Sequence, residues 1–329
     1  MTIDPLLRAL ADPTRLRIMR LLAHMELAVG ELAQVLGQSQ PRVSRHVRIL
    51  CDAGVAERRK EGSWVFLKSA ISQGGAPSIG TAAARLIAAA EDEDEAFARH
   101  CAGDRRHLSA IRSAREATAE GYFARHAAEW DTLRSLHSPD EPVEAGLAGA
   151  LDGNLGALLD VGTGTGRIAE LFAPRSSHVT ALDKSPEMLR IARSRLQQLP
   201  ADQVDLVQGD FSALPFADAS FDTLVFHQVL HYAQEPEAAL AEAARVTRDG
   251  GRIAVVDFAA HDREELRSGH AHARLGFADA QMLDLLAVAG FTAEPAITLP
   301  GKPLTVMIWA GRKQHAAAAL RSAAGRAMQ

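Results

Sequence analysis

Three glycines at alternate positions, Gly162, Gly164 and Gly166, directly follow an apolar run that contains Asp160. Glycine adopts positive φ at little cost and has no Cβ, so such a loop turns tightly and exposes backbone amides to a ligand. The spacing is GxGxG, whereas the loop that cradles the pyrophosphate of a dinucleotide has the spacing GxGxxG. The pattern therefore predicts a nucleotide-like ligand without a pyrophosphate, with Asp160 beside a polar part of it.

Acidic and aromatic residues end the next three apolar runs. Asp183 is placed to accept hydrogen bonds from both hydroxyls of a ribose, as acids at this position do in nucleotide-binding sheets. Asp210 and Phe211 are placed to contact an adenine ring. Phe226 opens a loop that we expect beside the sulfonium of S-adenosylmethionine. Because open α/β sheets bind ligands at the carboxyl ends of their strands, this ordered set predicts a site for S-adenosylmethionine or S-adenosylhomocysteine.

Two histidines beside this site, His227 and His231, are the candidate catalytic residues. Methyl transfer needs an acceptor positioned in line with the sulfonium, and in some enzymes it also needs a base. The alternative is that His231 and Tyr232 simply begin the next helical region. A polar loop after the fifth strand either lines a small-molecule acceptor site, binds a metal or does neither; its histidines are His261, His270 and His272. No metal site is predicted.

A helix–turn–helix pattern occupies the first part of the chain. Residues 31–36 predict a short helix ended by Gly37, and a second helix follows from about Gln40 to Ala53. Val43 and Val47 give that helix an apolar inner face, while polar and basic residues on its outer face suit base edges and phosphates in the major groove. The candidate DNA-binding residues of this helix are Gln40, Arg42, Ser44, Arg45, His46 and Arg48.

A basic hairpin follows, with strands predicted over residues 55–59 and 63–68. Its candidate DNA contacts are Arg58, Arg59 and Lys60. Residues 1–70 contain 11 Lys and Arg against 7 Asp and Glu, although the whole chain carries a net charge of −5. A basic helix followed by a basic wing predicts a winged helix that binds double-stranded DNA. A helical bundle with a basic face is the alternative.

From Ala157 onward, apolar runs alternate with amphipathic stretches. Such strand–helix alternation is typical of a parallel sheet covered on both faces. The last two predicted strands, Glu294–Leu299 and Leu304–Ala310, are separated by only four residues. That gap is too short for a helical crossover, so we expect an antiparallel hairpin at this end of the sheet.

The first part of the chain resembles the ArsR/SmtB family of bacterial winged-helix regulators. The resemblance covers residues 5–69 and is carried by LADPTRLRIMRLL, ELAVGELAQVLGQSQPRVSRHVRIL and GVAERRKEGSWVFLK. It implies a homodimer on palindromic DNA, with residues 40–48 contacting bases. Metal-sensing members have cysteines two apart where this chain has Ala28 and Gly30. Neither residue can ligate a metal, so we do not expect soft-metal sensing at this place.

The later part, over about residues 110–312, resembles class I S-adenosylmethionine-dependent methyltransferases, especially the C-methylases of quinone biosynthesis. The glycine loop, Asp183, the Asp210–Phe211 pair and the loop after the fourth strand carry the resemblance. The expected fold class is therefore α/β, with an N-terminal winged helix (α+β) followed by a seven-stranded, doubly wound, Rossmann-like methyltransferase domain.

Four segments are expected: a winged-helix DNA-binding domain over 1–72, a linker and helical region over 73–137, a methyltransferase-like domain over 138–313, and a disordered tail over 314–329. The two cysteines, Cys51 and Cys101, are too far apart in sequence to suggest a disulfide framework or a zinc site. Neither a secretory signal nor a membrane-spanning stretch is evident. We therefore expect a cytoplasmic protein.

Three functions fit these features. The first is a transcriptional regulator whose DNA affinity responds to S-adenosylmethionine or S-adenosylhomocysteine. The second is an active small-molecule methyltransferase whose winged helix controls its own operon. The third is a methyltransferase whose helical N-terminus only covers the substrate, and the basic helix and hairpin count against it.

Overall fold

The computed structural model describes residues 2–23, 25–61, 64–71, 78–135, 140–200 and 202–314. The chain forms two compact units, residues 1–117 and 118–329. Because the division falls within a helix, it does not test the predicted boundaries after residues 72 and 137, which stay predictions. Residues 72–77 of the predicted linker region and residues 315–329 of the predicted tail lie outside the described residues.

The first unit contains five helices and most of a sixth, together with a small sheet. The helices are α1 Ile3–Leu10, α2 Pro13–Leu22, α3 Val29–Leu36, α4 Gln40–Asp52, α5 Ile79–Glu93 and α6 Glu95–His126, which continues into the second unit. The strands are β1 Leu27–Ala28, β2 Ala56–Glu61 and β3 Trp64–Ser69, antiparallel in the order β1–β3–β2. None of the helices in the described part of the chain is long and apolar enough to span a bilayer.

Local signals set the helix ends as the sequence predicts. The carboxylate of Asp12 accepts a 3.0 Å hydrogen bond from the backbone N–H of Arg15 and so caps α2, with Pro13 in its first turn. Gly37 ends α3 in the left-handed conformation, with φ of 63°. Strand β1 was not predicted: two residues are too short to show a periodic pattern, and only their pairing with β3 defines them.

The second unit alternates strands with helices after a short helical lead. Its helices after α6 are α7 Trp130–Ser135, α8 Asp140–Ala150, α9 Arg167–Phe172, α10 Pro186–Leu196, α11 Pro236–Val246, α12 Glu265–His270 and α13 Asp279–Ala289. Its strands are β4 Gly156–Val161, β5 Ser176–Asp183, β6 Val204–Gln208, β7 Phe221–His227, β8 Thr247–Phe258, β9 Phe291–Ala293, β10 Ile297–Leu299 and β11 Val306–Lys313. Short 3₁₀ turns lie at Ala127–Glu129, Ala173–Arg175 and Leu230–Tyr232.

One sheet joins all these strands in the order β10–β11–β8–β7–β4–β5–β6. Strands β8, β7, β4, β5 and β6 are parallel, and β11 is antiparallel to both β8 and β10. The predicted antiparallel pair at the end of the sheet is confirmed. The sheet has one strand more than the predicted seven, because the three residues of β9 also pair with β11.

Apolar residues of the parallel strands alternate between two clusters, one on each face of the sheet. Leu158 and Val225 belong to one cluster, whereas their neighbours Leu159 and Phe226 belong to the other. A strand that is buried on both faces reads as a continuous apolar run, which is why the period-two alternation was absent from the sequence. The doubly covered α/β fold predicted from the sequence is confirmed, and it brings the carboxyl ends of β4 to β7 to one edge.

Candidate ligand site and nucleic-acid interface

Helix α4 presents a basic outer face and an apolar inner one. Arg42, Arg45 and Arg48 are exposed, as is Gln40, and Ser44 is half-buried. Val43, Val47 and Leu50 are buried against the rest of the first unit. The three guanidinium groups are thus available to a polyanion without disturbing the packing of the helix.

His46 is placed differently from these arginines. Its ring is half-buried, and Nδ1 lies 3.7 Å from the carboxylate of Asp12. Burial and the positive charges of Arg15, Arg42 and Arg45 lower its pKa, whereas Asp12 acts in the opposite direction. His46 therefore lies beside the cap of α2 rather than on the exposed face that would meet DNA.

The three basic residues predicted to contact DNA from the hairpin lie on two different faces of β2, because successive side chains of a strand point to opposite faces. Arg58 and Lys60 are exposed on one face of β2. Arg59 lies on the other face, where its guanidinium donates to Glu26 at 2.9 Å and to Glu61 at 2.8 Å and lies 5.0 Å from the centre of the Phe66 ring. These partners hold the Arg59 side chain on the protein, so we leave it out of the proposed DNA interface.

In the second unit, the glycine loop after β4 requires its glycines for steric reasons. Gly162 has φ of 69°, and a Cβ built on it would lie 2.4 Å from Cγ2 of Val229. Gly164 and Gly166 also have positive φ, and a Cβ on Gly166 would lie 3.0 Å from that of Ala192. The loop therefore passes so close to its neighbours that a side chain would displace them.

Asp183, at the end of β5, is held in place by backbone donors. Its Oδ2 accepts from Gly164 N and its Oδ1 from Ser185 N, both at 2.8 Å. Burial raises the pKa of this carboxyl, and these hydrogen bonds act against that shift. Each oxygen keeps lone-pair capacity for a further donor, so a fixed acceptor lies directly beside the glycine loop.

Asp160 is buried under the same loop and is only partly satisfied. Its Oδ2 accepts a 2.5 Å hydrogen bond from the hydroxyl of Thr163, while Oδ1 has no hydrogen-bond partner among the described residues. Burial raises the pKa of Asp160 to about 7, in opposition to the Thr163 hydrogen bond. A buried carboxylate oxygen without a donor costs free energy unless a ligand supplies one.

Asp210 and Phe211 follow β6 at the same edge. Asp210 accepts from Ser212 N at 2.8 Å and lies 3.1 Å from Nζ of Lys184. Burial alone would raise the pKa of Asp210, but Ser212 and Lys184 lower it. Phe211 is half-buried against the apolar cluster. Phe226 lies at the same edge, beside Val161 of β4, but its side chain is fully buried within that apolar cluster.

A helical segment that precedes the sheet covers the glycine loop. A Cβ built on Gly164 would lie 3.6 Å from Nε1 of Trp130. Asp131 accepts a 2.6 Å hydrogen bond from the hydroxyl of Thr165 and pairs with Arg195, which itself donates to that hydroxyl at 2.8 Å. This Asp131–Thr165–Arg195 clamp fixes α7 against the loop, and nothing in the sequence had pointed to it.

A small pocket lies beside this segment. Aromatic and histidine side chains form much of its wall, among them Tyr122, Trp130, Tyr232, Phe258, His231 and His272. His270 also lines it, and its Nδ1 lies 2.9 Å from the hydroxyl of Tyr122. Among the residues that the structure describes, no group of three or more His, Cys, Asp or Glu is arranged to hold a metal ion.

His231 lines this pocket and is oriented by Asp257, the acid that nearly ends β8. Its Nδ1 lies 2.8 Å from Oδ1 of Asp257, and its backbone N–H donates to Oδ2 at 3.0 Å. Since the carboxylate accepts, Nδ1 carries the proton and Nε2 is left as an acceptor. Nε2 is buried and has no hydrogen-bond partner in the described part of the chain. An acid at the end of the AVVDF strand was visible in the sequence but was not assigned.

His227 has a different environment, although it lies only four residues away. It is buried, and its Nδ1 lies 3.4 Å from a terminal nitrogen of Arg134. Burial and the charge of Arg134 lower the pKa of His227 to about 3. So low a pKa makes it a weak base. The next residue, Gln228, lines the pocket and has φ of 51°, a conformation that residues other than glycine rarely adopt and that often marks functional sites.

Comparison with known proteins divides the chain in the same way. Residues 12–58 match the family model of bacterial regulatory proteins of the arsR family, and residues 159–255 match that of a methyltransferase domain. The chain thus joins an ArsR-type regulatory domain to a methyltransferase domain. Both resemblances drawn from the sequence are confirmed. The ArsR-type match contains α4 and the first three residues of β2, and the methyltransferase match contains the glycine loop and Asp183.

Relatives of the methyltransferase domain include two enzymes of quinone biosynthesis. A demethylmenaquinone methyltransferase of Renibacterium salmoninarum is 42% identical over 101 residues, or 31% of this chain and 40% of that protein. The ubiquinone/menaquinone biosynthesis C-methyltransferase UbiE of Roseobacter denitrificans is 44% identical over 104 residues, 31% of this chain and 42% of its own length. The chain therefore spans about two fifths of these relatives.

Among solved structures, the 1,6-didemethyltoxoflavin-N1-methyltransferase of Burkholderia thailandensis has a similar fold. Its TM-score is 0.50 with 23% identity, over 61% of this chain and 89% of that one. That enzyme was solved with 1,6-didemethyltoxoflavin and S-adenosylhomocysteine bound. At this level of identity, the similarity establishes the methyltransferase fold of the second unit.

Proposed function

We propose that this protein is a transcriptional regulator that binds double-stranded DNA through its ArsR-type domain and S-adenosylmethionine or S-adenosylhomocysteine through its methyltransferase domain. The observation that carries the ligand assignment is the pairing of Asp183 with the glycine loop. A carboxylate fixed by two backbone amides next to a glycine-rich loop is suited to the two hydroxyls of a ribose. Asp160 adds a buried acceptor for the ligand's ammonium group.

The rest of the ligand fits the neighbouring strand ends. Asp210 and Phe211 are placed to receive the adenine, with Asp210 accepting from its amino group. Trp130 borders the glycine loop at Gly164. A related fold holds S-adenosylhomocysteine in the Burkholderia enzyme, which supports the same ligand class here.

Asp183→Ala is expected to weaken binding of S-adenosylhomocysteine by about 30- to 150-fold, or about 2–3 kcal/mol, because it removes charge-assisted hydrogen bonds to both ribose hydroxyls. Isothermal titration calorimetry measures the effect. Asp284→Ala removes an exposed acid of α13 and is the matched control. Equal affinities of the two variants would contradict the ligand assignment.

DNA binding is proposed for the exposed face of α4 together with Arg58 and Lys60 of the hairpin. The resemblance to ArsR regulators implies a homodimer on palindromic DNA. The first unit exposes apolar side chains that a second copy would cover, with 54% of Ile3, 52% of Leu7 and 62% of Leu86 accessible. Together these features support a symmetric regulator with one basic helix for each half-site.

Arg45→Ala is expected to weaken DNA binding and to reduce its salt dependence. Each lost phosphate contact lowers the slope of log K against log salt concentration by about 0.9. Fluorescence anisotropy with duplexes that the protein selects from a randomised pool measures both quantities. Arg193→Ala, which removes an exposed arginine of α10 in the other unit, should leave both unchanged. If Arg45→Ala and Arg193→Ala behave alike, α4 is not the DNA-reading helix.

We further propose that the ligand regulates DNA affinity. Ala28 and Gly30 replace the metal-binding cysteines of related sensors, and the same chain carries a nucleotide site that could replace the metal as effector. Titrating the selected duplex with the protein alone, with S-adenosylmethionine and with S-adenosylhomocysteine should give curves displaced by about 5- to 150-fold. DNA must then change the ligand affinity by the same factor. Three coincident curves at saturating ligand would contradict this regulation and would mean that the two domains act independently.

An active methyltransferase is the second candidate, and the Asp257–His231 pair favours it. A histidine that is oriented by a carboxylate and lines an aromatic pocket is suited to take a proton from an acceptor hydroxyl during methyl transfer. We expect His231→Gln to reduce transfer of radiolabelled methyl to phenolic and quinol acceptors by about 10²- to 10⁴-fold, with S-adenosylhomocysteine affinity retained. His178→Gln is the control. Absence of transfer by the wild-type protein would remove this candidate.

A further inference from the structure

Helix α6 is continuous from Glu95 to His126 and belongs to both compact units, since the division between them falls after Ala117. Its sequence contains no proline that would interrupt the backbone hydrogen bonds. The carboxylate of Asp94 accepts from the backbone N–H groups of Ala96 and Phe97 at 2.8 and 3.0 Å and so satisfies the first donors of the helix. One regular element thus has one end in each unit.

Within the first unit, α6 is bonded to two helices of the DNA-binding domain. Asp104 accepts hydrogen bonds of 2.5 and 2.7 Å from the guanidinium of Arg17 in α2. Nδ1 of His107 lies 3.1 Å from the carbonyl oxygen of Val35 in α3, and Leu108 is buried in the apolar cluster of the unit. A displacement of this part of α6 therefore acts on both α2 and α3.

Arg115 ties α6 to the helix–turn–helix and to the hairpin at once. Its guanidinium donates to Oε1 of Glu31 at 2.7 Å, and its Cζ lies 5.6 Å from the centre of the Trp64 ring in β3. Glu31 is buried, and its other oxygen accepts from Ala28 N at 2.9 Å at the start of α3. Because α3 packs against α4, Arg115 is a positioning residue for the proposed DNA interface.

Within the second unit, the last two turns of α6 contact the proposed ligand site. The carboxylate of Glu120 lies 2.9 Å from Nζ of Lys184, the residue that follows Asp183. The same Nζ lies 3.1 Å from the carboxylate of Asp210, which we propose for the adenine. An ion-pair chain thus runs from the ribose and adenine acids to α6.

Phe123 gives α6 a second contact, on the side of the glycine loop. Its ring packs edge to face against Trp130, with centres 5.3 Å apart, and against Tyr232, with centres 4.8 Å apart. Trp130 borders the loop at Gly164, and Tyr232 lines the pocket. A ligand that lies between the glycine loop and Asp210 therefore contacts groups that are themselves packed on the end of α6.

We propose that α6 transmits occupancy of the ligand site to the DNA-binding domain, through Glu120 and Phe123 at one end and Arg115 at the other. The proposal rests on the proposed function and names the route of its regulation. Coupling between distant sites is carried by packed side chains, ion-pair networks and rigid secondary elements, and α6 combines all three. The ligand changes the DNA affinity because it favours one arrangement of this helix over another.

The test interrupts α6 between its two sets of contacts. Ala117 is exposed, so a substitution there leaves the packed side chains in place. Ala117→Pro removes a backbone hydrogen bond and clashes with the preceding turn, which kinks or breaks a helix. Ala117→Gly weakens the helix at the same point with less disturbance. Ala241→Gly changes an exposed alanine of α11, which lies wholly within the second unit, and is the matched control.

Two measurements are made on each full-length variant. Calorimetry gives the dissociation constants of S-adenosylmethionine and S-adenosylhomocysteine, and fluorescence anisotropy gives that of the selected duplex with and without each ligand. In the wild type, the effector ligand is expected to displace the DNA curve by about 5- to 150-fold. In Ala117→Pro the displacement should fall below about twofold, and DNA should likewise lose its effect on ligand affinity, because coupling is reciprocal. The ligand and the duplex, each measured alone, should bind as they do to the wild type.

Glu120→Gln tests the same route without disturbing the backbone. It removes the ion pair with Lys184, which is partly exposed, so the displacement is expected to shrink by about 1.5- to 5-fold. Ala241→Gly should leave the displacement unchanged. A loss of ligand or DNA binding by Ala117→Pro alone would mean that the kink damages one of the units, and Ala117→Gly and Glu120→Gln then decide between the outcomes.

Full displacement in Ala117→Pro, with ligand and DNA each bound as in the wild type, would overturn the inference, because the two sites would then be coupled by another route. Unchanged displacement in both Ala117→Gly and Glu120→Gln would overturn it as well. Coincident DNA curves in the wild type itself have a different meaning. They would refute the proposed regulation, and this route with it, while the ligand site and the DNA interface would stand.

Discussion

The hydrogen bond from Gly164 N to the carboxylate of Asp183 joins the ends of two adjacent parallel strands, and the geometry of the ligand site depends on it. It can form only because β4 and β5 are neighbours in the sheet and end at the same edge. Gly164 must reach across with φ of 55°, a conformation that strongly favours glycine over other residues. This contact fixes the path of the loop. The hydroxyl of Thr163 then donates to Asp160, and that of Thr165 donates to Asp131.

The sequence predicts those features of the fold whose signals lie within a few neighbouring residues. The ends of α2 and α3 depend on a capping acid and a glycine within a few residues, so they could be read directly. The parallel sheet and its antiparallel end could be inferred from the strand–helix alternation and the short last connection, whereas the order of the strands was not predicted. Strand β9 could not be predicted, because three residues are too few to show a periodic pattern and only their pairing with β11 defines the strand.

In the candidate site too, the residues at strand ends were predictable, whereas those from distant parts of the chain were not. Asp160 and Asp183 end apolar strands, and the general rule for α/β sheets places strand ends at the ligand. Trp130, Asp131 and Arg134 come from a helix before the sheet, and contacts across 30 or more residues leave no mark in the local pattern. Arg59 was predicted at a functional surface because it lies in the basic hairpin, and Phe226 because it ends the fourth strand. Strand alternation puts the first against Glu26 and the second inside the apolar cluster.

The two histidines after β7 show how neighbouring charges decide what a side chain can do. His231 faces the carboxylate of Asp257, which orients its ring in the wall of the pocket. His227 faces the cationic Arg134, and this charge together with burial keeps its ring neutral. A protonated His227 would repel the guanidinium of Arg134. Keeping His227 neutral therefore lets it accept a hydrogen bond from Arg134, so that this cation can remain buried in the pocket wall.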